Sequence, residues 1–169
     1  MDPLSEGWYK VNVDGAVFKE SGSCGIGIVI RNKRGEIMGA MSKRLDLPLG
    51  ALEVEAKAFE EGMLLAWDLR LKYIVLEGDA QGVIDVLIGC SSPPPPIFIQ
   101  MIIEGIQSQK CNVQVWKASY VHRTNNMATH LMARNAKFVN DSVIWVKDIP
   151  PIIEHQVIKD VSVLDFGPV

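Results

Sequence analysis

A chain of 169 residues, 48% of them hydrophobic, can bury one full core and leaves little room for a second independent domain. Its formal net charge of −3, from 17 Lys and Arg against 20 Asp and Glu, argues against a protein held to nucleic acid by a general positive field. No run of about 18 apolar residues occurs, and the start MDPLSEGW lacks a basic and then apolar leader, so residence in the cytoplasm or nucleus without a membrane segment is expected.

Residues 1–7 read as an N-terminal extension, 8–140 as the folded domain and 141–169 as a C-terminal tail packed on it. The first strand, WYKVNVDGAVF, alternates Val11 and Val13 with Lys10, Asn12 and Asp14, then meets a carboxylate followed by glycine, a pair common in turns. Two β-rich runs follow in CGIGIVIRNKRGEIMGAMSKRL, joined at Asn32-Lys33-Arg34-Gly35 with glycine where a hairpin loop wants positive φ. GALEVEAKAFEEGMLLAWDLRL is built of helix formers, KYIVLEGD is a short apolar strand, and AQGVIDVLIG is a short helix ended by Gly89. SSPPPP, at 91–96, breaks the chain, either as a stiff spacer or as a Pro-rich ligand for a partner domain. A helix at IFIQMIIEGIQSQ, a strand at NVQVWKASYV and a helix at NNMATHLMARNAKFV complete the pattern, and the tail is expected to be irregular or short-helical. The order β-β-β-α-β-α-α-β-α predicts an α/β fold with a five-stranded mixed sheet, its first three strands antiparallel, flanked by helices.

The acids stand out once placed on these elements. Glu55 falls opposite the wet stripe of Glu53, Lys57, Glu60, Glu61 and Asp68, on a face with Ala51, Ala58, Gly62 and Ala66, where a carboxylate costs several kcal/mol unless it has a partner. Asp79 follows an apolar strand and precedes a helix, a place that also suits an N-cap. With Asp14 they make a set of carboxylates from two strand ends and one helix. Such a set repels itself unless a cation sits among its members, and a hard divalent cation with oxygen ligands, above all Mg²⁺, fits that need. Paired divalent ions are the usual machinery for attack of water on a phosphodiester.

Basic spots at Arg31, Lys33 and Arg34, at His122 and Arg123, and at Arg134 and Lys137 read as solvated surface or as local contacts to nucleic acid. On the last helix Met127, Ala128, Leu131, Met132 and Ala136 form the apolar arc, and His130 lies with Asn126, Arg134 and Lys137 on the polar side. Cys24, Cys90 and Cys111 have neither zinc-site nor disulfide spacing and are expected to be reduced and mostly buried.

KVNVDGA (10–16), VEAKAFEEGMLLA (54–66), VLEGDA (75–80) and VHRTNNMATHLMA (121–133), in that order, resemble the ribonuclease-H-like domains of plants, found in retroelement polyproteins and as separate genes. The resemblance spans roughly positions 8–152. It implies a ribonuclease H fold and two-metal endonucleolytic cleavage of the RNA strand of an RNA–DNA hybrid. Asp14, Glu55 and Asp79 match the first three acidic metal ligands of the family, and the fourth falls on His130. A nitrogen ligand in place of carboxylate predicts weak cleavage with Mg²⁺ and better cleavage with Mn²⁺. His122 stands near the place of a loop histidine that assists product or proton release in relatives. The basic hybrid-binding protrusion of some relatives is not visible, since Gly89 to Cys111 holds only Lys110. A monomer acting on an RNA–DNA hybrid is expected; the alternative is a catalytically impaired domain kept for nucleic-acid or protein binding.

Overall fold

The computed structural model describes residues 6–90, 94–108, 113 and 115–165. Strands β1 (Trp8–Phe18), β2 (Ser23–Arg31) and β3 (Ile37–Leu45) pair antiparallel in sequence order. Their second turn closes as its sequence requires: Gly35 takes φ +80°, and the Asn32 carbonyl side chain accepts the N–H groups of Arg34 and Glu36. Helix α1 (Ala51–Asp68), strand β4 (Tyr73–Gly78), helices α2 (Gln81–Leu87) and α3 (Ile97–Ser108), strand β5 (Val115–Tyr120) and helix α4 (Met127–Asn135) follow. β4 lies parallel to β1, and β5 parallel to β4.

The sheet has six strands, in the order β5-β4-β1-β2-β3-β6, and not the five expected. The extra strand, β6 (Ser142–Val146), comes from the tail and pairs antiparallel with β3. Its residues are mostly exposed, so they lack the one-sided alternation by which a half-buried strand is read. Beyond it a 3-10 turn leads into helix α5 (Glu154–Asp165), longer than the irregular or short-helical tail expected from the sequence. Cys24 is buried as expected, but Cys90 is exposed just past α2, where the chain has left the core. Cys111, Lys110 and the Ser91–Pro93 part of the proline run lie outside the described residues.

Each face of the sheet carries its own core. Val11, Val13, Ile26, Ile28 and Leu76 pack with Phe59 and Met63 of α1 and Ile99 and Ile106 of α3 on one side. On the other, Val29, Ile37 and Ala40 meet Ala128 and Met132 of α4 and Ile153 and Val157 near the chain's end. Of the small residues placed on the inner face of α1, Ala58, Gly62 and Ala66 are buried, whereas Ala51 is exposed at the first turn.

The seating of α4 decides where His130 lies. A Cβ at Gly27 would stand 2.3 Å from both the Ala133 nitrogen and the Thr129 carbonyl oxygen, so the helix backbone rests directly on β2. Ser42 Oγ donates to the Met132 carbonyl at 2.7 Å, and Asn126 Nδ2 donates to the Val13 carbonyl at 3.1 Å. The helix is therefore turned from the arc read in the sequence: Thr129 and Ala133 are buried, and Met127 and Leu131 are half-buried. Asn126, placed on the polar side, is buried because its amide bridges Val13 and Asn12. Gly27→Ala is expected to lose on the order of 3 kcal/mol, since the added methyl meets backbone that cannot rotate away. Urea unfolding checks this, and a loss under about 0.5 kcal/mol would mean that α4 is free to lift.

Candidate active site

The register of the two central strands brings the aspartates together. The last β1–β4 pair is Asn12↔Glu77, and two residues further along each chain stand Asp14 and Asp79. Asp14 does not end its strand, and Asp14-Gly15 is no turn: β1 continues to Phe18, with Asp14 opposite Gly27 and Gly15 opposite Ile26 of β2. What ends beside Asp14 is β4. Its departure opens the crevice where ligands of such sheets bind. Asp79 does not cap α2, whose N-cap is Ala80 with no side-chain capping bond.

Glu55 reaches the same place from α1. A Cβ at Gly15 would lie 2.9 Å from Val54 Cγ1 and 3.2 Å from the Glu55 nitrogen, so glycine there lets the helix approach the strand. The Gly15 N–H then donates to Glu55 Oε1 at 3.2 Å, while Glu55 Oε2 is buried with no hydrogen-bond partner. Carboxylate oxygens of Asp14, Glu55 and Asp79 all fall within 4.8 Å of one another. Burial, then the charges of Asp14 and Asp79, push the Glu55 pKa up to about 9. Burial and the Asp79 charge also hold Asp14 above the ordinary range, against the opposing pull of His130. Self-repulsion in a dry place is what a bound cation relieves, and the unpartnered Glu55 oxygen is a ready ligand atom.

His130 is not a solvated helix residue: its side chain is 15% exposed, and its Nδ1 lies 2.8 Å from Asp14 Oδ2. It reaches the acids through Asp14 and stands outside the three-carboxylate cluster. Arg123 Nη2 lies 3.3 Å from His130 Nε2. Guanidinium only donates, so this contact suits a ring whose Nδ1–H faces Asp14 and whose Nε2 lone pair faces Arg123. His122 is exposed on the cleft wall, with its Nδ1 accepting the Thr124 N–H at the start of a 3-10 turn.

These groups line a cleft of about 1220 Å³. Carboxylates form its floor, and Lys19, Arg123, Arg134 and Lys137 form basic walls. Arg123, read as one of several basic spots, belongs to the site because the turn before α4 folds it back over His130. Asn126 was also missed as a support for the site. It stands four residues before His130 on one helix face, so a buried role for one implied an inward position for the other.

The model of the reverse transcriptase-like family matches residues 12–136, a span that holds Asp14, Glu55, Asp79, His122 and His130. Comparison with curated protein sequences finds no match. Among solved structures, RNase H1 of Halobacterium salinarum is 20% identical with a TM-score of 0.71, covering 77% of this chain and 97% of that one. The N-terminal RNase H domain of a Mycobacterium tuberculosis protein is 16% identical with a TM-score of 0.68, covering 76% and 91%. LC11-RNase H1, solved with an RNA/DNA hybrid, is 16% identical with a TM-score of 0.63, covering 75% and 94%. The order of elements, the two-faced sheet and the gathered carboxylates thus agree with these likenesses: the fold is that of ribonuclease H, and the chain belongs to the reverse transcriptase-like family.

Proposed function

We propose that the chain is a divalent-metal-dependent endoribonuclease that cleaves the RNA strand of RNA–DNA hybrids. The observation that carries this reading is the convergence of Asp14, Glu55 and Asp79 within 4.8 Å, with a buried Glu55 oxygen that no donor of the protein reaches once the acid is ionised. These three residues would hold Mg²⁺ or Mn²⁺, which when bound supply activation of the attacking water and stabilisation of the leaving oxygen.

The protein's own part is positioning and proton control. Asp14 is fixed on one side by its pairing with Gly27 of β2, and Glu55 has to release its proton to serve as a ligand. Lys19, Arg134 and Lys137 offer the local positive charge that an acidic chain otherwise lacks, placed along the cleft to receive phosphates. His130 holds Asp14 Oδ2, and His122, which lines the cleft, would assist product release. A labelled hybrid incubated with Mg²⁺ or Mn²⁺ tests the reading. Cleavage should disappear in Asp79→Asn, and cleavage that survives this change would remove the three-acid site from the chemistry.

As an ion ligand His130 would exchange its Arg123 contact for the metal; imidazole contributes less negative charge than carboxylate and suits Mn²⁺ better than Mg²⁺. His130→Asp is therefore expected to raise Mg²⁺-supported cleavage by roughly tenfold and to narrow the gap between the metals. Equal wild-type rates with both ions, or no gain from the substitution with either, would count against a role for the ring. The same contact of His130 with Asp14 favours a second reading, a domain that keeps the fold and binds nucleic acid or protein without cutting. Hybrid retention without cleavage in either metal would select it.

A further inference from the structure

Strand β6 closes one edge of the sheet, and among the described residues no element pairs with its outer side. The hydrogen-bond phase shows which of its groups are free. Lys147 N–H donates to the Met38 carbonyl, and Arg44 N–H donates to the Asp141 carbonyl. Alternation along an antiparallel ladder then turns the N–H and C=O of residues 141, 143, 145 and 147 toward β3, and those of Ser142, Ile144 and Val146 outward. Open edges are usually guarded by a charge, a proline or a bulge. The opposite edge, β5, has exposed Lys117 in mid-strand. SVIWV has no such guard, and Val143, Ile144 and Val146 are exposed at 40%, 50% and 55%.

We infer that β6 is a self-association edge, on which a second copy of this chain adds its own β6 antiparallel about a two-fold axis through Ile144. The sequence is self-complementary in that register. Ile144 meets Ile144 of the partner subunit as a hydrogen-bonded pair, and Ser142 meets the partner's Val146, so every outward N–H and C=O of the strand is used. Val143 falls opposite the partner's Trp145, and just past the strand ends Asp141 comes beside the partner's Lys147, which turns out of the strand at φ +54°, so opposite charges meet at both ends. A shift of one residue loses both matches, because it sets the outward groups of one strand against side-turned groups of the other. The result is one continuous sheet across two copies. A contact of five residues per edge is small, so the dimer is weak and concentration-dependent, and the monomer expected from the sequence is its dilute form. None of this rests on the nuclease reading.

Sedimentation of the full chain over about 1–100 µM tests the inference, with dissociation read as a fold-change in Kd. The expected result is a species of twice the 18.7 kDa of one chain at the upper concentrations. Ile144→Pro removes an N–H that points away from β3, so the monomer keeps its ladder while dimerisation weakens by roughly 100-fold or more. Should that variant fail to melt cooperatively, the charge pair gives a second measurement: Asp141→Lys and Lys147→Asp each weaken association, and the two together restore it. A wild type monomeric throughout, or a dimer indifferent to Ile144→Pro and to both charge changes, overturns the proposal. So does slow amide exchange at Ile144 and Val146 in the monomer that is lost on removing residues 166–169, because the chain's own end would then occupy the edge.

Discussion

Asp14→Asn is expected to lower hybrid cleavage by roughly 1,000-fold or more, beyond the ~10–100-fold that loss of an outer partner of a metal ligand brings, while leaving the fold intact. By accessible surface Glu55 and Asp79 are half-buried, whereas Asp14 is buried. Its oxygens lie in the carboxylate cluster, and its Oδ2 also holds His130. Asparagine keeps the shape and a carbonyl acceptor for the His130 ring, so α4 should stay seated, but it removes a negative charge from the cation site. Burying a carboxylate beside Asp79 opposes folding in the ion-free protein, which is why the Asp14 pKa is raised. The variant should therefore melt at or above the wild-type temperature without metal, and show none of the rise in melting temperature expected of the wild type with Mn²⁺. A variant that cleaves within tenfold of wild type, or that unfolds, would show that Asp14 serves the strand and not the chemistry.

The elements that can be read in this sequence are those whose signal is local. α1 carries a wet stripe of charges opposite small residues, and the 32–35 turn carries its own glycine, so both lie where expected. The three acids were legible because each sits at a boundary or on a face where its charge conflicts with its surroundings. What failed was decided by partners far along the chain. Asn126 is polar by composition and buried by position, because its amide meets Asn12 and Val13 more than a hundred residues away. The rotation of α4 follows from Gly25 and Gly27 on β2, two absences of side chain that a helical wheel drawn on α4 alone does not contain. β6 escaped because it gains its place from the β3 ladder, whose backbone bonds ask nothing of side-chain pattern. His130 lies on the polar side of its own helix, and only the seating of α4 against β2 brings its ring onto Asp14.

Glu55→Gln should stabilise the metal-free protein at pH 8 while abolishing its response to divalent ions. The unfolded chain releases the Glu55 proton near the usual ~4.3, whereas the folded chain holds it until about 9. Between those values the folded state carries a proton that the unfolded state lacks, so stability falls as pH rises, by at most ~1.4 kcal/mol per unit. The favourable contribution is complete below the unfolded value and is lost as pH climbs to the folded one. Asp14, raised in the same direction, adds to the slope. Glutamine resembles the protonated acid: its oxygen can keep the Gly15 N–H bond, and its amide group can donate into the carboxylates. Urea unfolding in the presence of a chelator should give a curve that declines from pH 5 to 9 for wild type and a flatter one for Glu55→Gln, with the variant ahead by a few kcal/mol at pH 8. Mn²⁺ should then lift the wild type increasingly with pH, because binding displaces the Glu55 proton, and leave the variant nearly unmoved. Parallel pH curves would mean that Glu55 is ionised and paired in the folded protein, and an equal lift by Mn²⁺ in both proteins would place the ion on other residues.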